Sequence, residues 1–238
     1  MKGKSKYHDD DKNISLFELN QAYENFTANI MYSIIKPGCK KIVFSSAFES
    51  EGKSTITSNV AKKLSNLGSK VLLLDIDFRH PTIPKIFSIK NTNGLSDYII
   101  SGRKNLSTIV KNIPKYHNLD IITTGSFVPS PASLFSSNSM TNFLNSLDNI
   151  YDFVIIDSPP INIISDVLYI AKQTDGVILT VKERSTTHPM LKKAISRFEL
   201  VDIPILGLVL NFSKQESTSA YNNYYYKNKK DSNYFKGN

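Results

Sequence analysis

Five short runs of almost unbroken apolar character, at residues 41–46, 71–76, 153–157, 177–181 and 205–211, constrain this chain more than any other feature. They read as strands buried on both faces. A sixth, at 119–123, fits the same pattern. Helical spacing fills most of the intervals. Ile56, Val60, Ala61 and Leu64 make one apolar stripe, closed by Gly68 as a left-handed cap. Leu191, Ala194, Ile195 and Phe198 make another. Such alternation predicts an α/β fold with a mostly parallel sheet flanked by helices on both faces. Ligands of such sheets bind beyond the carboxyl ends of the strands.

The flanks differ from this centre. Residues 1–14 are polar and are expected to be a flexible N-terminus. Ser15 and Glu18 form a capping box, which predicts a helix start at Ser15. Leu16, Leu19, Tyr23, Phe26 and Ile30 then give that helix one apolar stripe, expected to pack on its own domain. With 238 residues, the chain suffices for one full-sized domain, read here as 15–212. Residues 213–238 contain no Ile, Leu or Val, so they cannot join a core and are expected to be a disordered tail. That tail carries Tyr221, Tyr224, Tyr225, Tyr226 and Tyr234, five of the twelve tyrosines, among five lysines.

Composition narrows the setting. No apolar run approaches the roughly 20 residues that span a bilayer, and the Lys- and Asp-rich start carries no secretory pattern. The single cysteine, Cys39, excludes an internal disulfide and a cysteine metal cluster. A cytoplasmic protein is expected. The formal charge of +8 favours an acidic partner. Its lysines and arginines are scattered, and no nucleic-acid partner is expected.

The first strand runs through Ala47-Phe48-Glu49-Ser50-Glu51-Gly52-Lys53-Ser54-Thr55 into a helix. A strand, a loop ending in Gly-Lys-Ser and a helix make a phosphate-binding loop. The helix start offers unpaired N–H groups to an anion. Gly52 lets the backbone approach the phosphates. Lys53 supplies charge at the β- and γ-phosphates, the Ser54 hydroxyl suits Mg²⁺, and Thr55 can reach the α-phosphate. Ala47 stands where the strict pattern has glycine. The second run ends in Asp75-Ile76-Asp77-Phe78-Arg79, and alternation puts Asp75 and Asp77 on one side. The third ends in Asp157-Ser158-Pro159-Pro160. Carboxylates at the same sheet end as a phosphate loop suit Mg²⁺.

Together these elements resemble the bacterial tyrosine kinases (BY-kinases) of the capsular polysaccharide type, in their Gram-positive cytoplasmic form. That family pairs a P-loop NTPase-like fold with an apolar run before Asp-x-Asp-x-Arg, another before Asp-Ser-Pro, and a Tyr-rich C-terminus. The resemblance implies an ATP-dependent protein-tyrosine autokinase that regulates capsular or exopolysaccharide synthesis. By it, Glu51, Gly52, Lys53, Ser54 and Thr55 hold ATP, and Ser54, Asp75 and Asp157 hold Mg²⁺ or its waters. Asp77 receives the proton of the attacking tyrosine, and Arg79 positions phosphate or a neighbouring subunit. Asn211 resembles the asparagine that contacts adenine in related ATPases. The tail tyrosines would be the autophosphorylation sites. The partners implied are a membrane-anchored chain-length regulator, whose cytoplasmic end activates the kinase at the inner membrane face, and further copies of the chain in a ring.

The chain departs from the family pattern at two places, and a third position sets it apart from a sister class. Glu49-Ser50 replaces Pro-Gly, which strains Ser50 wherever a positive φ is needed and adds charge near the triphosphate. Gln21, Glu24 and Thr27 replace the first-helix motif Glu-x-x-Arg-x-x-Arg that joins subunits. Phe48 stands where the division-site and partition ATPases of the same fold carry a signature Lys, which argues against that sister class. Two other readings therefore stand beside the kinase: a weakly active or inactive nucleotide-binding regulatory subunit, and a non-kinase ATPase switch.

Overall fold

The computed structural model describes residues 5–102 and 105–213, with side chains from Phe17 onward. In chain order the elements are α1 (Ser5–Ser33), β1 (Lys40–Ser46), α2 (Lys53–Asn66), β2 (Val71–Asp75), α3 (Ile83–Ile86), α4 (Leu95–Ser101), β3 (Lys111–Ile113), β4 (Tyr116–Ile122), α5 (Pro131–Phe135), α6 (Asn138–Ser146), β5 (Phe153–Asp157), α7 (Val167–Ala171), β6 (Gly176–Lys182), α8 (His188–Glu199) and β7 (Ile205–Asn211). The strands form one sheet in the order β3-β4-β2-β5-β1-β6-β7. Every pairing is parallel except that of β3 with β4.

Alternation along the buried strands divides the core in two. Leu72, Leu74, Val154, Ile156, Val177 and Leu179 face α4 to α8, meeting Leu95, Phe135, Phe143, Ile170 and Phe198. Val71, Leu73, Phe153, Ile155 and Ile178 face the other way, onto Ile56, Val60 and Leu64 of α2 and Ile30 of α1. The apolar runs are continuous because both faces are covered. The α/β sandwich expected from the sequence is the one observed.

Three local expectations are corrected. The first helix begins at Ser5, so Ser15 lies within it and does not cap it. Its stripe packs on its own domain through Tyr23, Phe26 and Ile30, while Leu19 stays exposed. Leu16 and the tail tyrosines Tyr221, Tyr224, Tyr225, Tyr226 and Tyr234 lie outside the described side chains. Strand β3 has no counterpart among the expected runs, because Lys111–Ile113 is a short, half-exposed edge that buries no apolar row. Strand β2 ends at Asp75, which leaves Asp77 in the following loop.

Of the three departures on α1, Glu24 is exposed and pairs with α2, and Thr27 is buried. Glu24 accepts a hydrogen bond from Lys63 Nζ of α2 at 3.1 Å. Thr27 is fully buried, and its hydroxyl has no hydrogen-bond partner. A buried, unpaired hydroxyl is costly. Thr27→Val is expected to stabilise the domain by about 1 kcal/mol. A urea unfolding midpoint unchanged or lowered by the substitution would contradict this.

Candidate active site

Strand register builds the site. Strand β5 lies between β1 and β2, and its pairing sets Asp157 beside Asp75 on one flank and Phe44 on the other. The two carboxylates therefore stand at neighbouring strand tips, next to the loop that leaves β1. Both are completely buried. Lys53, the first residue of α2, reaches across with Nζ 2.7 Å from Asp157 Oδ1 and 3.2 Å from Ser54 Oγ. The Thr57 hydroxyl, one turn along α2, donates to the same Asp157 oxygen at 3.3 Å.

The remaining oxygens define what the cluster lacks. Asp75 Oδ2 and Asp157 Oδ2 are buried with no hydrogen-bond partner. Asp75 Oδ1 accepts the Asp77 amide at 3.0 Å, and Asp77 Oδ1 accepts the His80 amide at 3.0 Å. These bonds wind residues 75–80 into a tight turn. Burial first, and the Asp157 charge second, raise the Asp75 carboxyl well above the usual carboxylate range. Among the described residues no three His, Cys, Asp or Glu side chains form a metal cage. Mg²⁺ rarely requires one, since it is commonly held by one or two carboxylates together with substrate phosphates. Two unsatisfied carboxylate oxygens, a serine hydroxyl and a phosphate loop fit that ion.

The phosphate loop is built with a single glycine. Gly52 adopts φ 81°, and a Cβ there would lie 2.0 Å from Asn211 Nδ2 and 3.2 Å from the Phe212 ring. Glycine is required at this position on both counts. Ser50 adopts φ 61°, the left-handed conformation anticipated for it, at a cost of about 1–2 kcal/mol. Glu51 offsets this strain. Its carboxylate accepts the amides of Ala47 at 2.9 Å and Phe48 at 3.2 Å, and the Thr186 hydroxyl. Glu49 is exposed, with its carboxylate 3.8 Å from the His80 ring.

Of the residues expected from sequence, Gly52, Lys53, Ser54, Asp75 and Asp157 are brought into one site, and Asp77 adjoins it through the Asp75 carboxylate. Asn211 closes on the loop, donating Nδ2–H to the Glu51 carbonyl at 3.0 Å. Thr55 and Arg79 are exposed at its margin. The structure adds Thr57 and Thr186, which no motif marks.

A sheet of this order with a Gly-Lys-Ser loop and acidic strand tips defines a P-loop NTPase, a nucleotide-binding class. A family model described as ParA, NUBPL iron-transfer P-loop NTPase, matches residues 39–236. The tyrosine-protein kinase YwqD of Bacillus subtilis (strain 168) is 31% identical over 205 residues, 86% of this chain and 86% of that protein. The tyrosine-protein kinase CpsD of Streptococcus agalactiae is 31% identical over 188 residues, 78% of this chain and 80% of that protein. The crystal structure of the chimerical protein CapA2B2 superposes with a TM-score of 0.76 at 30% identity, covering 81% of this chain and 84% of that one. The chain belongs to the bacterial tyrosine kinases within the P-loop NTPases. Among the described residues no helix is long and apolar enough to cross a membrane.

The buried acid pair yields a pH prediction. A carboxyl whose folded-state value is raised ionises first in the unfolded chain, so stability is lost as pH rises from about 4 through the raised value. Asp75→Asn removes that loss. The variant is expected to melt several degrees above the wild type at pH 8, where 1 kcal/mol is about 2–4 °C for a domain of this size. The gap should close toward pH 4. A gap of either sign that does not change with pH would count against it.

Proposed function

We propose that the chain is an ATP-dependent, Mg²⁺-requiring autokinase that phosphorylates its C-terminal tyrosines and regulates capsular or exopolysaccharide synthesis. The observation that carries this reading is the placement of Asp75 and Asp157 at neighbouring strand tips beside Lys53. Mg²⁺, held by Ser54 with Asp75 and Asp157, would neutralise charge on the phosphates. The chain's residues do the rest. The free N–H groups at the start of α2 bind phosphate oxygens. Lys53 exchanges its contact with Asp157 for the β- and γ-phosphates, and Arg79 offers a second cation at the margin.

Asp77 is the group read as receiving the phenol proton. A tyrosine hydroxyl titrates near 10 and a carboxylate near 4, so Asp77 cannot remove that proton in advance. It need not, because phosphoryl transfer asks little of its nucleophile and depends on positioning and charge neutralisation. The new P–O bond forms at the tyrosine oxygen, the bond to ADP breaks, and the proton passes to Asp77. Asn211, fixed against the loop, is read as the adenine-side contact.

Tyr221, Tyr224, Tyr225, Tyr226 and Tyr234 are the proposed acceptors, and each phosphate would add about −1.5 to −2 charges to a lysine-bearing segment. Activation by the cytoplasmic end of a membrane-anchored chain-length regulator, at the inner membrane face, belongs to the same reading. A second reading, a weakly active regulatory subunit, is favoured by Ser50 and Glu49, which strain and charge the phosphate loop. Iron transfer is not read onto the chain. Its one cysteine, Cys39, is buried, and burial pushes the thiol up to about 11, so no thiolate pair is available.

The test incubates the full chain with ATP, Mg²⁺ and a cytoplasmic fragment of the neighbouring membrane protein, followed by phosphotyrosine blotting and mass spectrometry. Phosphate is expected on the tail tyrosines of the wild type. Lys53→Met and Asp77→Asn are each expected to reduce it at least 100-fold, on the order of the loss when one preorganised charge is removed. No phosphotyrosine from a wild type that binds ATP would move the assignment to the regulatory subunit.

A further inference from the structure

The phosphate loop is held in shape from outside its own motif. The Glu51 carboxylate is only 4% exposed and takes three hydrogen bonds. Two come from the loop itself, the Ala47 and Phe48 amides. The third comes from Thr186, 135 residues away, in the turn between β6 and α8. The Thr186 oxygen also accepts the Lys182 amide at 3.0 Å. With that oxygen engaged as an acceptor, the single hydroxyl proton is directed to Glu51.

The same turn grips the loop a second way. The Glu183 amide donates to the Asn211 carbonyl at 3.0 Å, and the Asn211 side chain donates to the Glu51 carbonyl at 3.0 Å. Glu51 is thus fixed through its side chain by Thr186 and through its backbone by Asn211. The need for such a clamp is local. Ser50, not a glycine, is held at φ 61°, so the loop does not favour this curvature by itself. A carboxylate so close to a phosphate site also carries a hazard. If released from its donors, it would place negative charge where anions must bind.

We propose that Thr186 is a positioning residue for nucleotide binding, its hydroxyl locking the Glu51 carboxylate away from the phosphate cradle and setting the curvature of residues 47–52. The proposal rests on the nucleotide-binding reading above. Thr186 touches neither phosphate nor tyrosine, and it acts through Glu51. Loss of the hydroxyl weakens binding of the nucleotide while leaving Asp77 and the acid pair in place.

The test compares the full-length wild type with Thr186→Val, Thr186→Ala and Thr186→Ser. Amide hydrogen exchange of the nucleotide-free proteins should quicken at Ala47 and Phe48 in the Val and Ala variants and stay at the wild-type rate in the Ser variant. Calorimetry with MgADP should show Kd raised about tenfold in Val and Ala, the effect of losing one hydrogen bond to a charged group. KM for ATP should follow Kd, with kcat within about twofold, and Ser should restore both. Unchanged exchange at Ala47 and Phe48 in the Val and Ala variants, or failure of Ser to restore Kd, overturns the proposal. If the wild type binds no MgADP, the nucleotide reading fails separately, and the exchange rates still decide whether the lock exists.

Discussion

The contact on which the site depends is the ion pair between Lys53 and Asp157. Both partners are buried, so each was taken out of water at a cost that the other largely offsets. The pair forms because β5 is inserted between β1 and β2, which brings its tip to the loop leaving β1. Removing one partner alone would strand a buried charge, typically at a cost of about 3–5 kcal/mol. The pair is also poised. A lysine already desolvated and held at the mouth of a phosphate loop can pass to an incoming anion with little reorganisation.

The frame of the fold is legible in the sequence because both faces of the sheet are covered. Runs such as 71–76 and 153–157 must then be apolar throughout, and their acidic ends stand out sharply. The Gly-Lys-Ser turn and the two acidic strand tips are legible for the same reason. What escapes is set by contacts rather than pattern. The edge strand β3 buries no apolar row. The start of α1 is obscured because Ser15 and Glu18 look like a cap within what is in fact continuous helix. Asp77 reads as a strand position by alternation, yet the Asp75 carboxylate captures its amide and turns the chain. Thr186 has no signal at all, since nothing in local periodicity ties it to a glutamate at the other end of the domain.

The departures from the family pattern acquire physical content. Ser50 does take the strained conformation, and there the loop keeps its form through hydrogen bonds rather than through a second glycine. Glu49 lies beside His80, outside the cluster of buried acids. On α1, Glu24 pairs with Lys63 of α2 at the surface, and Thr27 is buried. Of these positions, Thr27 is committed to the domain's own packing.

Strand β7 ends against the phosphate loop: Asn211 is bonded to Glu51, and Phe212 sits over Gly52. The chain therefore leaves β7 beside the phosphate loop. Tyr221 follows Phe212 by only nine residues. A flexible tether of that length would set a local concentration on the order of millimolar. Under the autokinase reading proposed above, a foreign substrate would have to compete with acceptors borne on the same chain.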